Sequence, residues 1–138
     1  MSTITVSTTI FENTSIVWDL YTQSKHISQW YIFSPGWRCT HVECDIKNGG
    51  KYSAKMEAID GSSCFEIKAV FDNVIPCKAI SYTLQDGREV RTVFENLDGA
   101  TRIETTFEKD IDKPVKSQHD RWSDILNNFK NYVEKGSV

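Results

Sequence analysis

The sequence has no excess of positive charge: 16 Lys and Arg stand against 19 Asp and Glu in 138 residues, a formal charge of -3. No run of like charges forms a basic face, which argues against nucleic acid as a partner. Long apolar runs are missing as well. None approaches the ~18 residues that a spanning helix requires, so membrane insertion is not expected. The first ten residues alternate apolar and polar where a secretory leader would be continuously apolar, and this reading places the protein in the cytoplasm. Cysteines are few, and Cys39, Cys44, Cys64 and Cys77 are too scattered for the disulfide framework of a secreted chain. They are read as free thiols. Cys39, His41 and Cys44 lie close together, but no second Cys/His pair stands at ligand spacing. A regular strand would turn Cys39 and His41 to one face and Cys44 to the other, so no metal is expected. Gly49-Gly50 is followed by neither Gly-Lys-Ser/Thr nor GxGxxG, and a phosphate cradle is not implied. Local motifs assemble no Ser, His and Asp triad, and no cysteine carries a nucleophile signature. No catalytic residue and no cofactor emerges.

What the chain does contain is one long amphipathic stretch, residues 117–135. Trp122, Ile125, Leu126, Phe129, Tyr132 and Val133 recur at steps of three and four, with polar residues between them. At about 1.5 Å per residue this helix spans roughly 28 Å, enough to lie across several strands. Pro114 suits a first turn, Asp112 or Ser117 is the candidate N-cap, and Gly136 is the stop. Such a helix does not stand alone in water, so the remaining chain must supply an apolar surface for it.

That surface is written as strands. Ile4, Val6, Thr8 and Ile10 alternate with polar residues in a first strand. Two short helices follow, one capped by Asn13, Thr14 or Ser15 and one by Ser24, and then an aromatic-flanked loop around Ser34-Pro35-Gly36. From Thr40 the chain reads as six strands separated by turn signals at Asn48-Gly49-Gly50, Asp60-Gly61, Asp86-Gly87 and Asp98-Gly99. Short connections make them antiparallel neighbours with one apolar face. The expectation is an α+β fold in a single domain over residues 1–138, with a strongly bent antiparallel sheet wrapped round the C-terminal helix and the first strand at an edge.

An ordered series of short motifs carries a family resemblance. Trp18-Asp19, Gln29-Trp30-Tyr31, Val42-Glu43-Cys44-Asp45 leading to Gly49-Gly50-Lys51-Tyr52, Met56, Val74-Ile75-Pro76 before Ile80-Ser81-Tyr82-Thr83, and His119-x-x-Trp122 fall in sequence. The chain resembles the activator of heat-shock-protein-90 ATPase homologue-like proteins, a branch of the START and birch-pollen-allergen helix-grip superfamily. It departs from the pattern at Pro76-Cys77-Lys78, where a Pro-Pro-Glu-Arg-like turn is common, and at Arg121, where Gly is frequent. The resemblance implies a cavity between helix and sheet, which in the superfamily holds lipids, sterols, polyketides or flavonoid-like molecules.

Strand parity and the helical stripe give the residues expected to line such a cavity: Trp30, Tyr52, Met56, Phe65, Ile67, Phe71, Tyr82, Thr92, Phe94, Thr105, His119, Trp122, Leu126 and Phe129. Tyr52, Tyr82, Thr92 and Thr105 are its polar groups. All are hydroxyls, and no carboxylate has inward parity. A binder of hydrophobic molecules needs only an apolar cavity and a few orienting groups. Non-enzymatic binding of a small hydrophobic molecule is therefore the first expectation. A chaperone partner, whose ATPase the protein would modulate, is a second and rests on the resemblance alone. A cyclase or dehydratase is a third, and it would need His119 in an open cavity beside a second polar group. Trp30, Tyr31, Phe33 and Trp37 either gate the cavity or close the core, and the large inward rings either leave space or fill it.

Overall fold

The alternation at Ile4, Val6 and Ile10 becomes β1 (Thr3–Ile10), whose even-numbered apolar side chains are buried. It is followed by α1 (Thr14–Thr22), α2 (Ser24–Trp30), β2 (Trp37–Cys44), β3 (Lys51–Ala58), β4 (Cys64–Ile75), β5 (Ala79–Leu84), β6 (Glu89–Asn96), β7 (Thr101–Glu108) and α3 (Val115–Gly136). This computed structural model describes residues 3–32 and 36–136, so Phe33, Ser34 and Pro35 of the expected aromatic loop lie outside the described residues.

The strands form a seven-stranded sheet in the order β1-β7-β6-β5-β4-β3-β2, antiparallel throughout. The curled sheet holds α3 against its concave face. Ile125, Leu126, Phe129 and Val133 of α3 are buried there in one cluster with Val6, Ile10, Met56, Phe94 and Ile103. The helix thus grips the sheet through the stripe that its sequence spells out. No helix among the described residues is long and apolar enough to cross a membrane.

Several local expectations are corrected. The β2–β3 register shifts between Cys39 and His41, and this bulge inverts the parity of the strand. Cys39 is buried and Cys44 half-buried, whereas His41 is exposed and pairs with Glu43 at 3.2 Å. The two thiols therefore share a face and the imidazole does not. At α1 the Asn13 carboxamide accepts from the Ser15 amide at 3.0 Å, as a cap should. At α2 the cap position belongs to Gln23, without a side-chain bond, and Ser24 is already helical. Neither Asp112 nor Ser117 caps α3: the Asp112 amide donates to Asp110 (3.0 Å), and the Ser117 hydroxyl donates to the Pro114 carbonyl (3.0 Å).

The residue that orders the approach to α3 is Gln118, which the sequence reading passed over. Its Oε1 accepts from the Asp110 amide (2.8 Å), and its Nε2 donates to the carbonyls of Asp110 (2.9 Å) and Lys113 (3.0 Å). One buried carboxamide thus ties down the β7–α3 connection, which rims a groove between α3 and the sheet.

Candidate functional site

The concave face is filled unevenly. Under the C-terminal half of α3 it is solid. There Tyr21 of α1 stacks on Trp30 (centroids 4.9 Å apart) and meets Phe94 and Phe129 edge-on at 5.3 and 5.1 Å. Aromatic edges against faces fill volume with little loss of packing. The Thr92 and Thr105 hydroxyls share a hydrogen bond of 3.0 Å, and the Tyr21 hydroxyl lies 3.5 Å from Thr92. These inward hydroxyls satisfy one another rather than facing a guest.

Under the N-terminal half of α3 the two layers diverge. Trp122 and Ile125 of the helix face Phe65 and Ile67 of β4, Leu84 of β5, Val90 of β6 and Phe107 of β7 across a groove of about 320 Å³. The apolar wall is continued outward by charged side chains, among them Lys68, Asp86, Arg88, Glu108 and Lys113. Several of these are paired. Arg88 Nε donates to Asp86 at 2.8 Å, and Lys68 lies 3.4 Å from Glu66. Partial burial pushes the Asp86 carboxyl up, but the hydrogen bonds and charge of Arg88 outweigh it and hold the group below its ordinary range.

Behind the groove is a small chamber of about 30 Å³, walled by Tyr21, Thr22, Ile27, Trp30, Cys44, Ile46, Tyr52, Phe71, Ile80 and Tyr82. Tyr31 and Trp122 border both spaces, so they form the partition between groove and chamber. Tyr52 and Tyr82 stack with centroids 6.4 Å apart and an interplanar angle of 28°. Burial pushes both phenols, and that of Tyr31, well above the ordinary tyrosine range. They remain neutral and can donate a hydrogen bond. Burial, and then the neighbouring Asp45 charge, push the Cys44 thiol up to about 12, so it is not a thiolate nucleophile near neutral pH.

Seven of the residues expected to line a cavity border one of the two spaces: Trp30, Tyr52, Phe71 and Tyr82 the chamber, Phe65 and Ile67 the groove, and Trp122 both. Met56, Thr92, Phe94, Thr105, Leu126 and Phe129 are instead buried in close packing and border neither space. Strand parity identifies the face and not the depth of packing behind it. His119 is a different correction. Its side chain is half exposed (50 %) and its Nδ1 lies 3.3 Å from the adjacent Asp120, outside both spaces. The inward position of that turn belongs to Gln118, and the next residue is rotated about 100° away. Phe65 keeps its parity but is 39 % exposed at the mouth of the groove, with its ring 5.3 Å from that of Trp37. Leu84, Val90, Phe107 and Ile125 were legible as apolar inward positions, whereas the rim residues Arg88 and Lys113 carried no signal.

A third, broader depression of about 450 Å³ between α2 and α3 is lined by Gln29, Ile32, Asn128, Asn131, Tyr132 and Lys135. It lies more open to solvent than the groove, which makes it a weaker candidate. Among the described residues no three His, Cys, Asp or Glu side chains gather as a metal site.

A curled antiparallel sheet closed by a C-terminal helix, with a lateral opening between the two, defines a helix-grip protein. Residues 13–134 match the family model of activator of Hsp90 ATPase homolog 1-like proteins, and the chain belongs to that family. Among solved structures, the AHSA1-like protein of Aeromonas hydrophila is 30 % identical, with 99 % of this chain and 94 % of that one covered and a TM-score of 0.93. A protein of Cytophaga hutchinsonii is 36 % identical, with coverage of 97 % and 93 % and a TM-score of 0.84. The Aha1 dimer of Colwellia psychrerythraea shares the fold at 14 % identity, with complete coverage of both chains and a TM-score of 0.77. No curated protein matches the chain.

Proposed function

We propose that this protein binds a small hydrophobic molecule non-covalently in the groove between α3 and strands β4 to β7, and performs no chemistry on it. One observation carries the reading: half of the concave face is sealed, while the other half keeps about 320 Å³ against an apolar patch of Ile67, Leu84, Val90, Phe107, Trp122 and Ile125 bordered by charged side chains. That volume lies within the ordinary range of small-molecule pockets. The position of His119 outside the groove removes the side chain that the cyclase or dehydratase reading required. The polar groups toward the interior are neutral phenols, suited to orienting a guest rather than exchanging protons with it.

The test is a titration with the neutral dye Nile red, followed by competition with a panel of lipids, sterols and flavonoids. Saturable, competable binding that is lost in Ile67→Trp, which fills the groove, is the expected result. Unsaturable binding, or binding untouched by that substitution, overturns the reading. A heat-shock-protein-90 partner is the competing reading, favoured by the family description. Stimulation of the chaperone's ATPase that survives Ile67→Trp would move the function to another surface.

A further inference from the structure

We infer that the chamber behind the groove selects ligands that carry an uncharged carbonyl oxygen at one end of an apolar body, with Tyr52 and Tyr82 as the specificity-determining residues. This rests on the groove being the binding site. Tyr52 and Tyr82 make ring contacts with Phe71 and with each other, but among the described residues neither hydroxyl has a hydrogen-bond partner in the protein. Neither is it a sealed orphan, since no side-chain oxygen or nitrogen buried from solvent is left unsatisfied among the described residues. A phenol with no partner that is not sealed by protein atoms faces open space. The open space that both rings border is the chamber.

Size limits what enters. A space of about 30 Å³ admits an oxygen and the carbon that bears it, and not a ring. The body of the ligand therefore stays in the groove, beyond the Tyr31–Trp122 partition, and only its end reaches the phenols. Charge limits it further. The chamber wall contains tyrosines, a threonine, a neutral thiol and hydrocarbon, with no cationic side chain. The cationic side chains Lys68, Arg88, Lys113 and Arg121 border the groove, Arg121 near enough to Tyr31 to act on its charge, and none of them borders the chamber. A carboxylate driven into the chamber would lose its hydration without gaining a counter-ion, whereas a ketone accepts from one or both phenols without that loss. The aliphatic end of a hydrocarbon would leave the hydroxyls unpaired. Among apolar molecules of one shape, the order of preference is thus ketone, hydrocarbon, carboxylate.

The experiment compares 2-acetylnaphthalene, 2-isopropylnaphthalene and 2-naphthoate by titration against the wild type, Tyr52→Phe, Tyr82→Phe and the double variant. Tyr132→Phe serves as the distant control, because its hydroxyl is occupied by His26 at 2.6 Å. The wild type is expected to bind the ketone most tightly and the carboxylate least. Each Tyr→Phe change at the chamber should weaken the ketone by about 2- to 10-fold, the net worth of one neutral hydrogen bond, and leave the hydrocarbon unchanged. Tyr132→Phe should alter neither. The ratio of ketone to hydrocarbon affinity is the readout, because a merely structural defect would lower both together. If Nile red binds but the ratio in the wild type is one, or survives the double substitution, the inference is overturned and the groove remains a binding site. If neither Nile red nor any naphthyl probe binds, the proposed function falls and takes the inference with it.

Discussion

The two halves of the concave face are built from the same pattern and end differently. Beneath the C-terminal half of α3, Phe129, Phe94 and Ile103 are almost wholly buried, and the ring of Tyr21 descends from α1 into the remaining space. Beneath the N-terminal half Tyr31, at the end of α2, partitions the space without filling it, and Trp122 and Ile125 look across a groove at β4 and β5. Both halves draw on strands whose apolar residues recur on one face. The difference comes from what the first two helices cover, which is a matter of their length and position. Stability is thereby concentrated at one end and binding capacity at the other.

The most direct way to break this comparison is truncation at matched aromatics. Phe129→Ala should cost about 3–5 kcal/mol, because it opens a cavity in a site with no exposure. Trp122→Ala, at the half-open position, should cost distinctly less in urea denaturation. Equal losses would mean that the two halves are equally packed. Enlargement reverses the question. Ile103→Phe overpacks the sealed half and should cost about 1–3 kcal/mol, whereas Ile67→Trp grows into the groove and should leave the urea midpoint nearly unchanged while abolishing dye binding.

The buried hydroxyls sharpen the comparison on a smaller scale. Thr92→Val or Thr105→Val alone leaves its partner with one bond fewer and should cost about 1–3 kcal/mol, while the double substitution should recover much of that loss. Tyr82→Phe removes a hydroxyl that has no hydrogen-bond partner among the described residues, and it should be nearly neutral for stability. The smallest expected effect is the pH dependence. Tyr31, Tyr52, Tyr82 and Cys44 all have folded pKa values raised by burial, so the folded state holds their protons where the unfolded chain releases them. Their contribution to stability is complete below the unfolded values of 9.0 for cysteine and 10.0 for tyrosine. It is lost as pH rises through the folded values, so the urea midpoint should fall from about pH 9 upward. Cys44→Ala should blunt the earliest part of that fall.

Much of the architecture was legible because its signals are periodic. Ile4, Val6 and Ile10 announced a half-buried strand, and the 122–133 stripe announced the gripping helix with its inward residues in place. Irregularities were not legible. The bulge beside Thr40 swaps His41 outward and brings Cys44 to the face of Cys39, and no Gly or other turn residue between Cys39 and Cys44 marks it. His119 was placed one position from the truth, because parity on a helix tolerates no error of one residue. The candidate site was half legible. Tyr52, Tyr82, Ile67 and Trp122 were identified as inward, but six other inward residues proved to be packed solid.

The chain's own composition and periodicity determined the order of elements, the antiparallel sheet, the helix that closes it and the hydroxyl-bearing interior. Each of these depends on the spacing of side chains along one segment, which a sequence states directly. Where the interior is full and where it is open was decided only in three dimensions. Packing depends on rings brought together from distant segments, such as Tyr21, Phe94 and Phe129, whose meeting no local pattern records.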